Sequence, residues 1–314
     1  MPSKPKYIID TDLGDDVDDA LALALAATAQ MELVAVTTVY RNVEDRARMA
    51  KKLLSALGEP YGRVPVLPGH SWPLERNLPA PAIDFLSEEE RTDLTLAPDG
   101  ASPDEAVDAL IHACHTYGKD LTVVALGPLT NLARVIERDP TALPTASRVV
   151  LMGGAYFRHY ADWNVSCDPH AAATVFASLP NLECIGADVT HAAVAPCELE
   201  ERLLHPTPAA PRWRHYLADL TQRWLSTRAK PALVLHDPLL MAYLLEPTLC
   251  HFTETSVCVV TDGPAAGLTL NLDVYSKQWM NEAYTSLPPP PRHRVACDVN
   301  LERFWKIIEK MLTE

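Results

Sequence analysis

Ile8-Ile9-Asp10-Thr11-Asp12-Leu13-Gly14-Asp15-Asp16-Val17-Asp18-Asp19-Ala20-Leu21 runs from a short apolar, β-branched stretch through six carboxylates into an alanine- and leucine-rich stretch. An extended run that breaks at an acidic, glycine-containing turn and resumes as a helix former reads as a strand-to-helix junction. Carboxylates a few ångströms apart repel by about 1 to 4 kcal/mol per pair at moderate to high dielectric, and a bound divalent cation removes that penalty. One or two of them are explained as cap and first-turn residues favoured by the helix dipole. Six are not. Oxygen-only ligands favour a hard ion, Ca²⁺ or Mg²⁺, over zinc. The carboxyl end of a first strand is also where open parallel sheets place their ligands.

Outward from this junction the same alternation repeats. Tyr7 to Ile9, Leu33 to Val39, Val64 to Leu67, Leu121 to Leu126, Arg148 to Met152 and Leu182 to Gly186 read as strands. Asp18 to Ala27, Asp45 to Leu57, Pro103 to His115, Pro128 to Arg138 and His170 to Ser178 place their apolar residues on one helical face. The pattern predicts an α/β fold, a mostly parallel open sheet flanked by helices. Pro68 to Ser102 shows no sustained period and reads as a long surface excursion, a candidate lid. Pro288 to Pro291 reads as a rigid connector before a last strand, Arg294 to Val299, and a last helix, Leu301 to Leu312.

The 314 residues are 48% apolar and 22% charged, enough mass for a large core, and residues 1–314 read as a single domain. A net charge of −14, from 27 basic and 41 acidic residues, argues against nucleic acid or an anionic membrane as partner and suits a small neutral ligand or a cation. The seven cysteines form no Cys-x-x-Cys pair and read as reduced thiols. With no apolar leader ahead of Asp10 and no stretch of about 18 apolar residues, the expected location is the cytoplasm.

The acidic segment resembles the hallmark of the inosine-uridine preferring nucleoside hydrolases, an Asp-x-Asp-x-Gly-x-Asp-Asp sequence after the first strand, here two residues longer as Gly14-Asp15-Asp16-Val17-Asp18-Asp19. Further segments match in order. Thr37-Thr38-Val39-Tyr40-Arg41-Asn42 resembles a strand ending in a substrate-binding Asn, and Ala125-Leu126-Gly127-Pro128-Leu129-Thr130-Asn131 a loop lending a carbonyl to the metal. Val150-Leu151-Met152-Gly153-Gly154 and Asp162-Trp163-Asn164 resemble the ribose-binding stretch, His236-Asp237-Pro238 the second catalytic segment, and Arg303-Phe304-Trp305 the C-terminal helix. Each is weak alone; their colinear order over nearly the whole chain is not.

The resemblance implies a Rossmann-like nucleoside hydrolase fold and Ca²⁺-dependent hydrolysis of the N-glycosidic bond of ribonucleosides. It implies Asp12, Asp19, Asp237 and the Leu126 carbonyl as metal ligands, with a water and the ribose hydroxyls completing the shell. That water is the nucleophile and Asp12 its base. Asp18, Asn42, Met152, Asp162 and Asn164 fall to ribose binding, Asp10 stands behind the metal ligands, and a homodimer or homotetramer is expected. His236 is the candidate that serves the departing base, since an imidazole of pKa about 6.5 donates a proton near neutral pH.

The chain departs from the family at three points. Leu13 replaces a Pro, Asp162 shortens a Glu, and no His-Gly-x-x-Gly segment lies between Pro68 and Pro103, which leaves the base preference open. A non-catalytic nucleoside- or ribose-binding protein on the same fold is the alternative, since fold does not fix function. Asp10-Thr11-Asp12 is also similar to haloacid-dehalogenase phosphatases, but these want Thr or Val where Gly14 stands. His112 and His115 share one helical face without a third ligand nearby and read as ordinary helix residues.

Overall fold

Nearly continuous apolar runs such as Leu121–Ala125, buried at every position, can only be covered on both faces, and they set the centre of the sheet. The structure is a computed structural model that describes residues 4–14, 16–75, 86–227, 232–273 and 290–313. The strands are β1 Lys6–Thr11, β2 Glu32–Thr38, β3 Val66–Pro68, β4 Leu121–Ala125, β5 Arg148–Met152, β6 Glu183–Ile185, β7 Cys250–Val259, β8 Thr269–Asn271 and β9 Arg292–Val299. They form one sheet in the order β3-β2-β1-β4-β5-β6-β9-β7-β8. Pairing is parallel from β3 through β9 and antiparallel from β9 to β7 and from β7 to β8. The winding reverses between β1 and β4, so a crevice opens beyond their carboxyl ends, the usual ligand position of an open parallel sheet.

The helices are α1 Asp18–Thr28, α2 Val43–Leu57, α3 Glu88–Thr92, α4 Pro103–Tyr117, α5 Thr130–Arg138, α6 Ala142–Thr145, α7 Trp163–Cys167, α8 Pro169–Ser178, α9 Ala187–Thr190, α10 Cys197–Leu204, α11 Arg212–Ser226, α12 His236–Leu245 and a C-terminal helix, Leu301–Met311. Strand side chains alternate between two cores. Ile9, Val36, Val124, Val150 and Ile185 face the layer built from α1, α2, α11, α12 and the C-terminal helix. Ile8, Ala35, Val123, Leu151 and Cys184 face the layer of α4, α5 and α8. Every residue of α1 from Asp18 to Ala27 is buried. Its alanines and leucines leave it apolar all round, as a helix enclosed by other elements must be.

The six expected parallel strands and five expected helices are present, most with ends moved by one or two residues, and Arg148–Met152 is as expected. The antiparallel edge β7–β8 and helices α10 and α11 were not anticipated. Inside the Pro68 to Ser102 excursion stands α3, closed by a capping box in which Ser87 and Glu90 bond each other's main-chain N–H; the Ser-x-x-Glu spacing was its signal. Residues 76–85 of that excursion, and 288 and 289 of the expected proline connector, lie outside the described residues. All seven cysteines are free thiols. Among the described residues, no helix is long and apolar enough to cross a membrane.

Candidate active site

The acidic turn after β1 is anchored by its apolar members. Leu13 and Val17 are buried and, with Gly14, Asp16, Met49, Leu220 and Trp224, line a small recess. Asp18 and Asp19 open α1, and Asp237, from the first turn of α12, meets them: oxygens of the three lie within 4.8 Å of one another, all buried. The Asp237 N–H donates to Asp18 Oδ2 at 2.9 Å, and the Thr11 hydroxyl donates to Asp19 Oδ1.

Burial, followed by the charges of Asp18, Asp19, Asp12 and Asp16, pushes Asp237 well above the usual carboxylate range. Burial likewise carries Asp18 up to about 6 against several main-chain N–H bonds. Asp10, fully buried behind them, is pushed by burial to about 7 although Thr37 and Asn131 donate to its Oδ1 at 2.6 and 2.7 Å. Among the described residues its Oδ2 has no hydrogen-bond partner. An all-oxygen group with this much uncompensated charge fits a hard divalent cation. The sequence reading grouped Asp12, Asp19 and Asp237 as ligands; among the described residues the oxygens that converge are those of Asp18, Asp19 and Asp237, with the Asp12 charge acting on Asp237. The Asp12 carboxylate lies against Gly127, where an added Cβ would come within 2.8 Å of Asp12 Oδ1, so a side chain at 127 would displace it.

Of the residues expected at the ribose, Met152 and Asn164 meet at the ends of β4 and β5. The Asn164 amide donates to the Leu126 carbonyl at 2.5 Å and to the Met152 carbonyl at 3.2 Å, joining the two strand ends. Asp162 caps α7 by accepting from the Val165 N–H at 3.3 Å, and burial raises its carboxyl. Gly153 and Gly154 supply the positive φ values of 153° and 78° on which the chain leaves β5. Asn42 caps α2 and is half-buried; its side chain makes no capping bond. The two residues before it, Tyr40 and Arg41, are left-handed with φ of 68° and 60°. Such backbone costs on the order of 1–2 kcal/mol per residue and persists only where its surroundings impose it.

His236 sits half-buried on α12 next to Asp237, its Nδ1 2.7 Å from the Thr190 hydroxyl and its ring 5.5 Å from that of His191. Burial, then the neighbouring His191, pushes it down to about 4, so the ring is neutral near pH 7. That changes what it can do: it offers a hydrogen bond rather than a stored proton. His112 and His115 are exposed on α4, His115 bonding Asp139 at 2.7 Å.

Sequence reasoning missed the residues that hold these groups in place. Asn131 spans Asp10 and the Thr38 carbonyl, and accepts from the His70 N–H at 2.9 Å, tying four strand ends together. Asp168 accepts from the Thr130 hydroxyl at 2.6 Å and the Leu74 N–H at 2.9 Å. Arg46 donates to the carbonyls of Asp12, Leu13 and Tyr40. A charged residue on the apolar stripe of α2 was the one visible signal among them.

A family model described as inosine-uridine preferring nucleoside hydrolase matches residues 7–306. The chain is 31% identical over 288 residues to uridine nucleosidase 1 of Arabidopsis thaliana, covering 87% of this chain and 83% of that protein. To a non-specific ribonucleoside hydrolase of Klebsiella pneumoniae it is 32% identical over 318 residues, covering 95% of each. Its fold is similar to that of a plant nucleoside hydrolase, with a TM-score of 0.81 at 28% identity over 99% of both chains.

Proposed function

The chain belongs to the inosine-uridine preferring nucleoside hydrolases, enzymes that hydrolyse an N-glycosyl bond, and from that premise we propose that it cleaves ribonucleosides to free base and ribose with Ca²⁺ as its metal. The observation that carries this reading is the convergence of Asp18, Asp19 and Asp237 at the switch point of the sheet. Asp12, Asp19, Asp237 and Leu126 would hold the ion. When bound, Ca²⁺ offsets the carboxylate repulsion and acidifies a water.

The residues of the chain do the rest. Water oxygen bonds to the anomeric carbon as the carbon–nitrogen bond breaks, and the electron pair of that bond leaves with the base. Asp12 takes the water's proton. Positive charge grows on the ribose meanwhile, as in other glycoside cleavages, and the surrounding carboxylates Asp18 and Asp162 stabilise it. Asn42 and Asn164, with Asp18 and Asp162, grip the ribose hydroxyls, and Met152 backs the Asn164 amide through its carbonyl. His236 donates a ring N–H to the departing base.

Ribose release from a panel of purine and pyrimidine nucleosides, run with Ca²⁺ and with a chelator, tests the reading. Release that depends on the ion is expected; no release from any nucleoside by the Ca²⁺-loaded protein would overturn it. The same panel sets the base preference, since one relative is named for uridine and another as non-specific. Residues 1–314 are read as one hydrolase domain that works in the cytoplasm as a homodimer or homotetramer, and light scattering in solution checks the assembly.

A further inference from the structure

Arg46 occupies a position where the pattern of α2 wants an apolar side chain. It lies on the core-facing stripe of Val43, Ala47, Met49 and Ala50 and is 4% exposed. Burying a guanidinium is unfavourable unless its donors are satisfied. Here three of its bonds go to main-chain carbonyls: Nε donates to Tyr40 O at 2.7 Å, and Nη1 to Leu13 O at 3.2 Å and to Asp12 O.

Those carbonyls belong to two different loops. Asp12 and Leu13 form the arm leaving β1, which carries the base. Tyr40 begins the left-handed turn leaving β2, which presents Asn42. The Arg46 main chain closes the link, its N–H donating to Asn42 O at 3.0 Å. Because the guanidinium grips the backbone of Asp12, it fixes the path of the arm and leaves the direction of the carboxylate to the crevice. It also brings the two loops to one rigid fork, since guanidinium geometry is planar and preorganised where an ammonium is not.

We infer that Arg46 is a positioning residue: one guanidinium locks the Asp12 arm to the Asn42 turn, so that the base and the ribose grip hold their spacing. This rests on the hydrolase reading. A displacement of about 1 Å costs on the order of 10² in rate, so loss of the fork affects both sides of the site at once.

The test is a double-mutant cycle read as a split between kcat and KM. Arg46→Lys keeps the charge and the stem but not the fork. It should stay folded by circular dichroism, lower kcat on the order of 10-fold to 10²-fold and raise KM several-fold. In the Asn42→Ala background, the same substitution should still lower kcat but no longer raise KM, because the grip it positions is gone. Calorimetric titration with Ca²⁺ should show weaker binding by Arg46→Lys, an effect seen without turnover. If Arg46→Lys does not fold, Arg46→Gln goes through the same cycle. An equal rise in KM in both backgrounds, or unchanged kcat and Ca²⁺ affinity, would make Arg46 a fold-stabilising residue only. Ribose release by the Ca²⁺-loaded wild-type protein is measured alongside; its absence would sink the hydrolase reading, not the positioning role alone.

Discussion

Glu183 and Asp18 are carboxylates buried at opposite ends of the same sheet, and their surroundings could hardly differ more. Glu183 opens β6 at the amino end. Its oxygens accept from Arg148 at 2.9 and 2.7 Å and from the Tyr243 hydroxyl, with Arg294 Nη1 at 3.2 Å. Burial raises its pKa, but the hydrogen bonds from Arg148 and Tyr243 and the arginine charges outweigh that and hold it below the usual glutamate range. Asp18, at the carboxyl end, shares its space with Asp19 and Asp237 and rises to about 6. The same fold can neutralise a buried acid with arginines, and at one end it does. At the other it keeps the acids together, which is how a site for a cation, rather than a structural ion pair, is recognised.

The largest expected effect that could break this contrast is at Asp12. Asp12→Asn, assayed at saturating Ca²⁺, should lose about 10²–10⁴ in kcat, because an amide cannot take the water's proton. Near-normal turnover with metal bound would move the base role to Asp18. His236→Ala should lose on the order of 10² with natural nucleosides and far less with p-nitrophenyl riboside, whose leaving group departs as a stable anion. Equal losses on the two substrates would leave His236 a structural residue.

Metal removal sharpens the contrast from the side of stability. Chelation should abolish turnover and lower the melting temperature, with Ca²⁺ at a hundred times its Kd restoring about 2.7 kcal/mol; an unchanged melting curve would speak against a bound ion. Glu183→Gln should do the reverse. It should cost about 2 kcal/mol in denaturant unfolding, less than a fully buried pair because Arg148 and Arg294 are partly exposed, and leave kcat unchanged.

The smallest effect is in acid. Glu183 has a depressed folded pKa, so its contribution is present above its unfolded value of about 4.3 and is lost as pH falls through the lower folded one. Buried His293, packed edge-on 5.1 Å from Phe176, is pushed down to about 4 chiefly by burial, so its neutral ring supports folding above about 6.5 and that support fades between there and 4. His293→Leu should flatten melting temperature against pH over that window, while Glu183→Gln should flatten it only below; identical curves for both would undo the assignment.

The parallel half of the sheet was legible because β1, β2, β4 and β5 are short apolar runs separated by helix-period segments. The carboxylates were legible because six acids in one turn have no ordinary structural reason. β7 was harder. Its ten residues, Cys250–Val259, mix exposed His251, Thr253 and Glu254 with a buried end, as an edge strand does, and no single period marks them. The grouping of Asp18 with Asp237 depends on how α1 and α12 dock, which no local pattern encodes. Asn131 and Asp168 act on partners far along the chain, so their residue types alone announced nothing, and Arg46 showed only as a charge on an apolar helical stripe. The pKa of His236 likewise follows from burial that only the packed structure reveals.

The bond from the Asp237 N–H to Asp18 joins residues 219 positions apart, and this sets a schedule for assembly. Contacts such as Asn164 to Leu126, 38 residues apart, can form as soon as α7 has been made. The carboxylate group cannot, because closing so long a loop carries its entropy before any contact repays it. During synthesis from the amino terminus, the Asn164 bridge between the ends of β4 and β5 is therefore built first and the acid cluster is completed only when α12 docks on α1. A nascent chain that has made three quarters of its length has six of the nine described strands and no enzyme in it.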